Sequence, residues 1–96
     1  MTAYIIVHMD VTDPEQYREY AKLTPAVIDR YGGKFIVRGG TKVTLEGPEE
    51  TRRLVVVEVP SMEQAQAFYH SPEYQQAKAV RDGAATGHFV LVEGVE

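Results

Sequence analysis

An α+β fold of order β-α-β-β-α-β is predicted from three observations. Four runs rich in β-branched and aliphatic residues alternate with stretches of helical spacing, and each helical stretch opens on a capping residue. The length, 96 residues, leaves room for one core. Strand and helix in this order make the ferredoxin-like pattern. Right-handed crossovers then imply a four-stranded antiparallel sheet of order 4-1-3-2 with its helices on one face, and residues 1–96 are expected to form a single domain.

AYIIVHMDV (3–11) reads as the first strand. Asp13 can cap the helix that follows, with Pro14 at its first position, and Thr12 with Glu15 also matches a capping box. Tyr17, Tyr20, Ala21, Thr24, Val27, Ile28 and Tyr31 then recur at helical spacing. Pro25 lies inside that pattern and is expected to kink or divide the helix, because its ring clashes with the Ala21 carbonyl. Gly32-Gly33 ends it. KFIVR (34–38) is the second strand. Gly39-Gly40 suggests a bulge, after which TKVTLE (41–46) resumes the alternation. RRLVVVEVP (52–60) is the third strand. Ser61 with Gln64 opens a helix through Ala65, Phe68 and Tyr69, and Ser71-Pro72 opens a second short one to about Arg81. HFVLVEGV (88–95) is the fourth strand.

Composition excludes several classes. The chain carries 10 Lys+Arg against 14 Asp+Glu, with no basic cluster beyond Arg52-Arg53, which disfavours nucleic acid and anionic membranes as partners. No apolar run approaches the ~20 residues of a membrane span, and no basic leader is expected at the start. With no cysteine there are no disulfides, no thiolate nucleophile and no cysteine-ligated metal, which fits a reducing, cytoplasmic setting.

Splitting the strands by their period of two gives two faces. Ala3, Ile5, Val7, Met9, Phe35, Val37, Val55, Val57, Val59, Val90 and Val92 form one with no ionisable group, the bed for the helices. The other mixes Ile6, Ile36, Val56, Phe89 and Leu91 with His8, Arg38, Glu58 and Glu93. Its centre is too apolar for open water, and only one helical layer exists to cover two apolar faces. A second copy of the chain packed sheet to sheet is the expected cover. A bulge at Gly39-Gly40 would bring Arg38 directly opposite Glu58, and an ion pair is expected there.

The stretches AYIIVHMDVTDPEQYREY, YGGKFIVRGG, LEGPEETRRLVVVEVPS, FYHSPEYQQAKAVRDGAA and VLVEG resemble the bacterial family known as domain of unknown function 1330 over nearly the whole chain. The resemblance implies the dimeric α/β barrel superfamily, in which two ferredoxin-like sheets pack face to face. It implies no activity of its own. Wider relatives include cofactor-free monooxygenases, muconolactone isomerases and stress-response proteins, an analogy of fold alone.

The candidate catalytic residues are His8 as general base, Arg38 as anion binder and Glu58 as desolvated base. The plainer reading of all three is an interface histidine and an interface ion pair. Tyr20, Tyr69 and Glu93 are the candidates for ligand binding. His8, His70 and His88 lack metal-ligand spacing, so no metal is expected, nor a tightly bound cofactor. Arg52-Arg53 reads as a solvated strand start. Two functions follow. One is an enzyme acting on a small organic molecule, with its pocket between sheet and helices or at the sheet–sheet seam. The other is a non-catalytic ligand-binding or structural homodimer.

Overall fold

The computed structural model describes residues 1–95. The order is β1 (Ala3–Val11), α1 (Pro14–Arg30), β2 (Lys34–Arg38), β3 (Arg53–Val59), α2 (Met62–His70), α3 (Pro72–Val80) and β4 (Ala85–Glu93). The sheet is antiparallel with strand order β2-β3-β1-β4, the expected 4-1-3-2 read from its other edge. The three helices cover one face.

Capping follows the sequence closely. The Asp13 carboxylate accepts from the Gln16 N–H, and the Ser61 hydroxyl from the Gln64 N–H. Ser71 serves two helices. Its hydroxyl donates to the Phe68 carbonyl at the end of α2 and accepts from the Tyr74 N–H at the start of α3. Thr12 is not part of a capping box; its hydroxyl donates to the Ala84 carbonyl and ties the β1–α1 turn to the entry of β4. Gly32, at φ +77°, lets the chain turn back so that the Gly33 N–H donates to the Ile28 carbonyl.

The core lies between sheet and helices. Ile5, Val7, Met9, Val55, Val57 and Val59 supply the sheet side. Tyr17, Tyr20 and Ile28 of α1, Ala65 and Phe68 of α2, and Tyr74 and Ala77 of α3 supply the other. Rings dominate it: Phe68 and Tyr74 lie 4.8 Å apart between centroids, with Tyr69 and Phe89 against them.

Four expectations need correction. First, of the kink or division expected at Pro25, the division does not occur, and α1 runs unbroken from Pro14 to Arg30. Proline has no N–H to give the Ala21 carbonyl one turn back. That carbonyl accepts instead from the Arg38 Nη2, at 2.7 Å, and from the Thr24 hydroxyl at 3.3 Å. Second, the bulge falls at Ile36, not at Gly39-Gly40. Lys34 pairs with Glu58 and Phe35 with Val57, but Val37 then meets Val56, and Arg38 meets Val55. The extra residue turns Arg38 to the helix face and Val37 to the open one. Arg38 and Glu58 therefore sit on opposite faces, and Glu58 pairs with Lys34 at 3.2 Å. Third, TKVTLE is not a strand. Residues 39–52 form an irregular loop in which Val43 and Leu45 are exposed. Fourth, β4 presents the opposite faces to those expected. Phe89 and Leu91 lie opposite Val7 and Ile5 and pack into the core, whereas Val90 and Val92 are exposed on the open face. Glu93 lies opposite Ala3, at the end of the strand.

Replacing Pro25 restores the missing helical bond. Pro25→Ala is expected to raise the unfolding free energy by about 1–2 kcal/mol, read from urea denaturation. A lowered midpoint would contradict the account of α1.

Candidate functional site

The ionisable side chains of the sheet fall into two separate sets, one on each face. The helix-side set surrounds a cavity of about 40 Å³ between α1 and the sheet. Its walls are apolar, from Ile5, Val55, Val57 and Phe89, with Tyr17, Tyr20 and Thr24 from α1. Two guanidinium groups, those of Arg38 and Arg53, line it as well. Arg38 reaches from β2 to α1, stacks 4.2 Å from the centroid of the Phe35 ring and donates to the Ala21 carbonyl. Arg53 lies 5.8 Å from the centroid of Tyr17, and its Nε is buried with no hydrogen-bond partner. Gly39, at φ +70°, makes room for it; a Cβ there would collide with the Arg53 guanidinium.

Behind the cavity a third arginine is buried. Arg81 is 6% exposed and lies 5.3 Å from the centroids of both Tyr20 and Phe89. Its Nε also has no partner. The Tyr20 and Tyr74 hydroxyls share a 2.8 Å hydrogen bond beside it. Burial, and then the neighbouring Tyr74, push the Tyr20 hydroxyl above the usual phenol range. Tyr20 is thus a neutral phenol near pH 7, able to donate or accept a hydrogen bond but not to serve as a tyrosinate base.

The open-face set is different in kind. His8 lies opposite Leu54 and His88 in the sheet, and its ring centroid is 6.2 Å from that of His88. Its Nε2 is 3.4 Å from the Glu50 carboxylate, which Arg52 also holds, at 2.7 Å. Hydrogen bonding from Arg52 draws the Glu50 carboxyl down from 4.5 to about 2. Glu58 pairs with Tyr4 across the sheet, four residues along β1 from His8 and so about 13 Å away.

Of the residues singled out in the sequence, the structure brings Arg38 and Tyr20 to one cavity. His8 and Glu58 lie on the other face and not beside each other. Tyr69 lines a second groove, of about 280 Å³, with Gln66, His70 and Leu91 under α2, where its hydroxyl accepts from Lys78. Glu93 lines neither. Arg53 was expected to be part of a solvated strand start, which its buried Nε and its place in the cavity lining correct, and Arg81 was not singled out. Arg53 carries a signal nonetheless, since it has the same parity as Val55, Val57 and Val59 and so must face the helices. Arg81 carries none; it follows α3 and precedes the turn into β4. Among the described residues no group of three or more His, Asp or Glu is placed to hold a metal ion, and no helix is long and apolar enough to cross a membrane.

The family described as Domain of unknown function (DUF1330) matches residues 2–95. The chain belongs to this family. No curated protein matches the DUF1330 chain. Solved structures share its fold at low identity. A protein of unknown function from Rhodopseudomonas palustris is 21% identical with a TM-score of 0.78, the match covering 99% of this chain and 83% of that one. A dimeric ferredoxin-like protein of unknown function from Jannaschia sp. CCS1 is 14% identical with a TM-score of 0.74, covering 98% and 100%. SnoaB, a cofactor-independent oxygenase from Streptomyces nogalater, is 12% identical with a TM-score of 0.63, covering 99% and 94%.

Because the folded Glu50 carboxyl is depressed, its contact with Arg52 adds stability in full above pH 4.5 and loses that contribution as pH falls towards about 2. Carboxyl-carbon NMR should find Glu50 titrating near 2, and Arg52→Ala should return it towards 4.5. A wild-type midpoint already at 4.5 would contradict the Glu50–Arg52 geometry.

Proposed function

We propose that this protein is a homodimer, joined through its open sheet face, that binds a small organic molecule in the helix-side cavity of each subunit without a tightly bound cofactor. The observation that carries the ligand reading is the cavity itself. Its walls are apolar with a few polar groups among them, as in small-molecule sites, and its volume of about 40 Å³, far below the roughly 300–1,000 Å³ usual for such sites, restricts it to a very small molecule.

The open face supports the dimer. Val37, Val90 and Val92 are 37–43% exposed there, beside half-buried Ile6, Leu54 and Val56. A second copy on that face would shield these side chains and leave the cavity, on the far side of the sheet, open to ligand. The Jannaschia protein is described as dimeric, and SnoaB as a cofactor-independent oxygenase. Both descriptions favour the reading, although at this identity the likeness is one of fold. With Arg38 on the helix side, His8 and Glu58 do not act with it at one centre. They serve instead as polar groups that set orientation at the seam.

Sedimentation at micromolar concentration should give twice the chain mass of 10.7 kDa, and Val56→Asp, which places an unpaired carboxylate in each half of the seam, should give monomer. A wild-type monomer, or a Val56→Asp dimer of unchanged stability, would overturn the assembly. For the cavity, the three-carbon probes propionate and propionamide should shift the methyl NMR signals of Ile5, Val55 and Val57 saturably. If neither does, the ligand site is not there.

A further inference from the structure

We infer that the ligand of this cavity is a short-chain organic anion, a carboxylate or an enolate, whose charged head is held by Arg53 and Arg38 and whose apolar tail fills the space against β1 and β3. The inference rests on the ligand reading above and gives it a chemical class.

Charge makes the first argument. Two arginines line the cavity and no acidic residue does. Among the described residues neither Arg38, Arg53 nor Arg81 forms an ion pair with a carboxylate; the salt bridges use other arginines, lysines and His8. The side-chain hydrogen bond of Arg38 goes to a neutral carbonyl. Arg53 and Arg81 each leave a buried Nε without a partner. A chain with four more acidic than basic groups has thus kept its acids away from this place. Arg38 is exposed but Arg53 is half-buried, and an anion beside a half-buried cation that lacks a counter-charge is stabilising.

Geometry makes the second. A guanidinium offers donors in a planar fork that matches the two oxygens of a carboxylate. Arg53 stands at a junction. Together with Met9, Tyr17 and Ala21 it lines both the inner cavity and an outer groove of about 510 Å³, where Arg18 and Arg52 face the single carboxylate of Asp10. Arg52 is held by Glu50, which leaves Arg18 and Arg53 against Asp10, and an anion passing from that groove to the cavity meets Arg53 at the junction. Arg38 is exposed and gives one Nη2 N–H to the freed Ala21 carbonyl, so that its other donors can serve a charged acceptor without breaking that bond, and a charge-assisted bond is the stronger. The inner volume of about 40 Å³ would hold about three waters, which suits a tail of two or three carbons. The neutral Tyr20 phenol and the Thr24 hydroxyl are the remaining polar groups of the lining.

The test is NMR titration of the whole chain with propionate and with propionamide, its uncharged isostere. Propionate should bind at least about tenfold more tightly, and Arg53→Gln and Arg38→Gln should each remove most of that preference, weakening propionate far more than propionamide. Arg38→Gln alters an exposed side chain and keeps the test open if Arg53→Gln does not fold. Equal binding of the two probes would overturn the anion class but keep the cavity as a site. A preference for propionate that survives both substitutions would also overturn it, because the anion would then be held elsewhere. Binding of neither probe would overturn the cavity reading as well.

Discussion

The arrangement depends on one hydrogen bond made possible by a missing one. Pro25 sits in the middle of a helix that continues past it, and the Ala21 carbonyl is left without its backbone donor. A half-buried carbonyl without a partner costs free energy to the extent that water cannot reach it. Arg38 fills it from the neighbouring strand. To do so Arg38 must face the helices, and β2 achieves this by adding one residue at Ile36. The direction of Arg38, the cation in the cavity wall and the absence of an Arg38–Glu58 pair all follow from that bulge.

The same bulge alters the other face. It turns Val37 outward where Arg38 was expected, and the inverted β4 exchanges Phe89 and Leu91 for Val90 and Val92. The uncovered side keeps an apolar centre, and its charged groups include Lys34–Glu58, the group of His8, Glu50 and Arg52, and Asp10 towards the end of β1. Glu50 comes from the end of the 39–52 loop, so a segment with no regular structure still places a carboxylate on a specific histidine. The sheet thus separates two tasks: cations face the helices, and apolar side chains with compensated charges face outward.

Much of the fold was legible. Strand order, both serine caps and the break between α2 and α3 follow from motifs with a direct physical cause, and the family from the resemblance of whole stretches of sequence. The site was legible only in part. Period-two reasoning places Arg53 on the helix face, yet a pair of arginines at a strand start is easily read as solvated. It fails for β4, where both parities are apolar and only the fit of the Phe89 ring among Tyr69, Tyr74 and Arg81 selects the face. It fails for Arg38 because a bulge shifts the parity, and the glycines at 39 and 40 drew attention from Ile36. The link between Pro25 and Arg38 joins residues on different elements, and no spacing rule connects them.

The side chain of Arg38 gives the most direct measurement. Proton–proton NOE contacts from its δ-methylene group should reach the Phe35 ring and residues of α1 near Ala21. Contacts to Ile6 and Glu58 instead would put Arg38 on the open face, and the cavity would lose the cation at its rim.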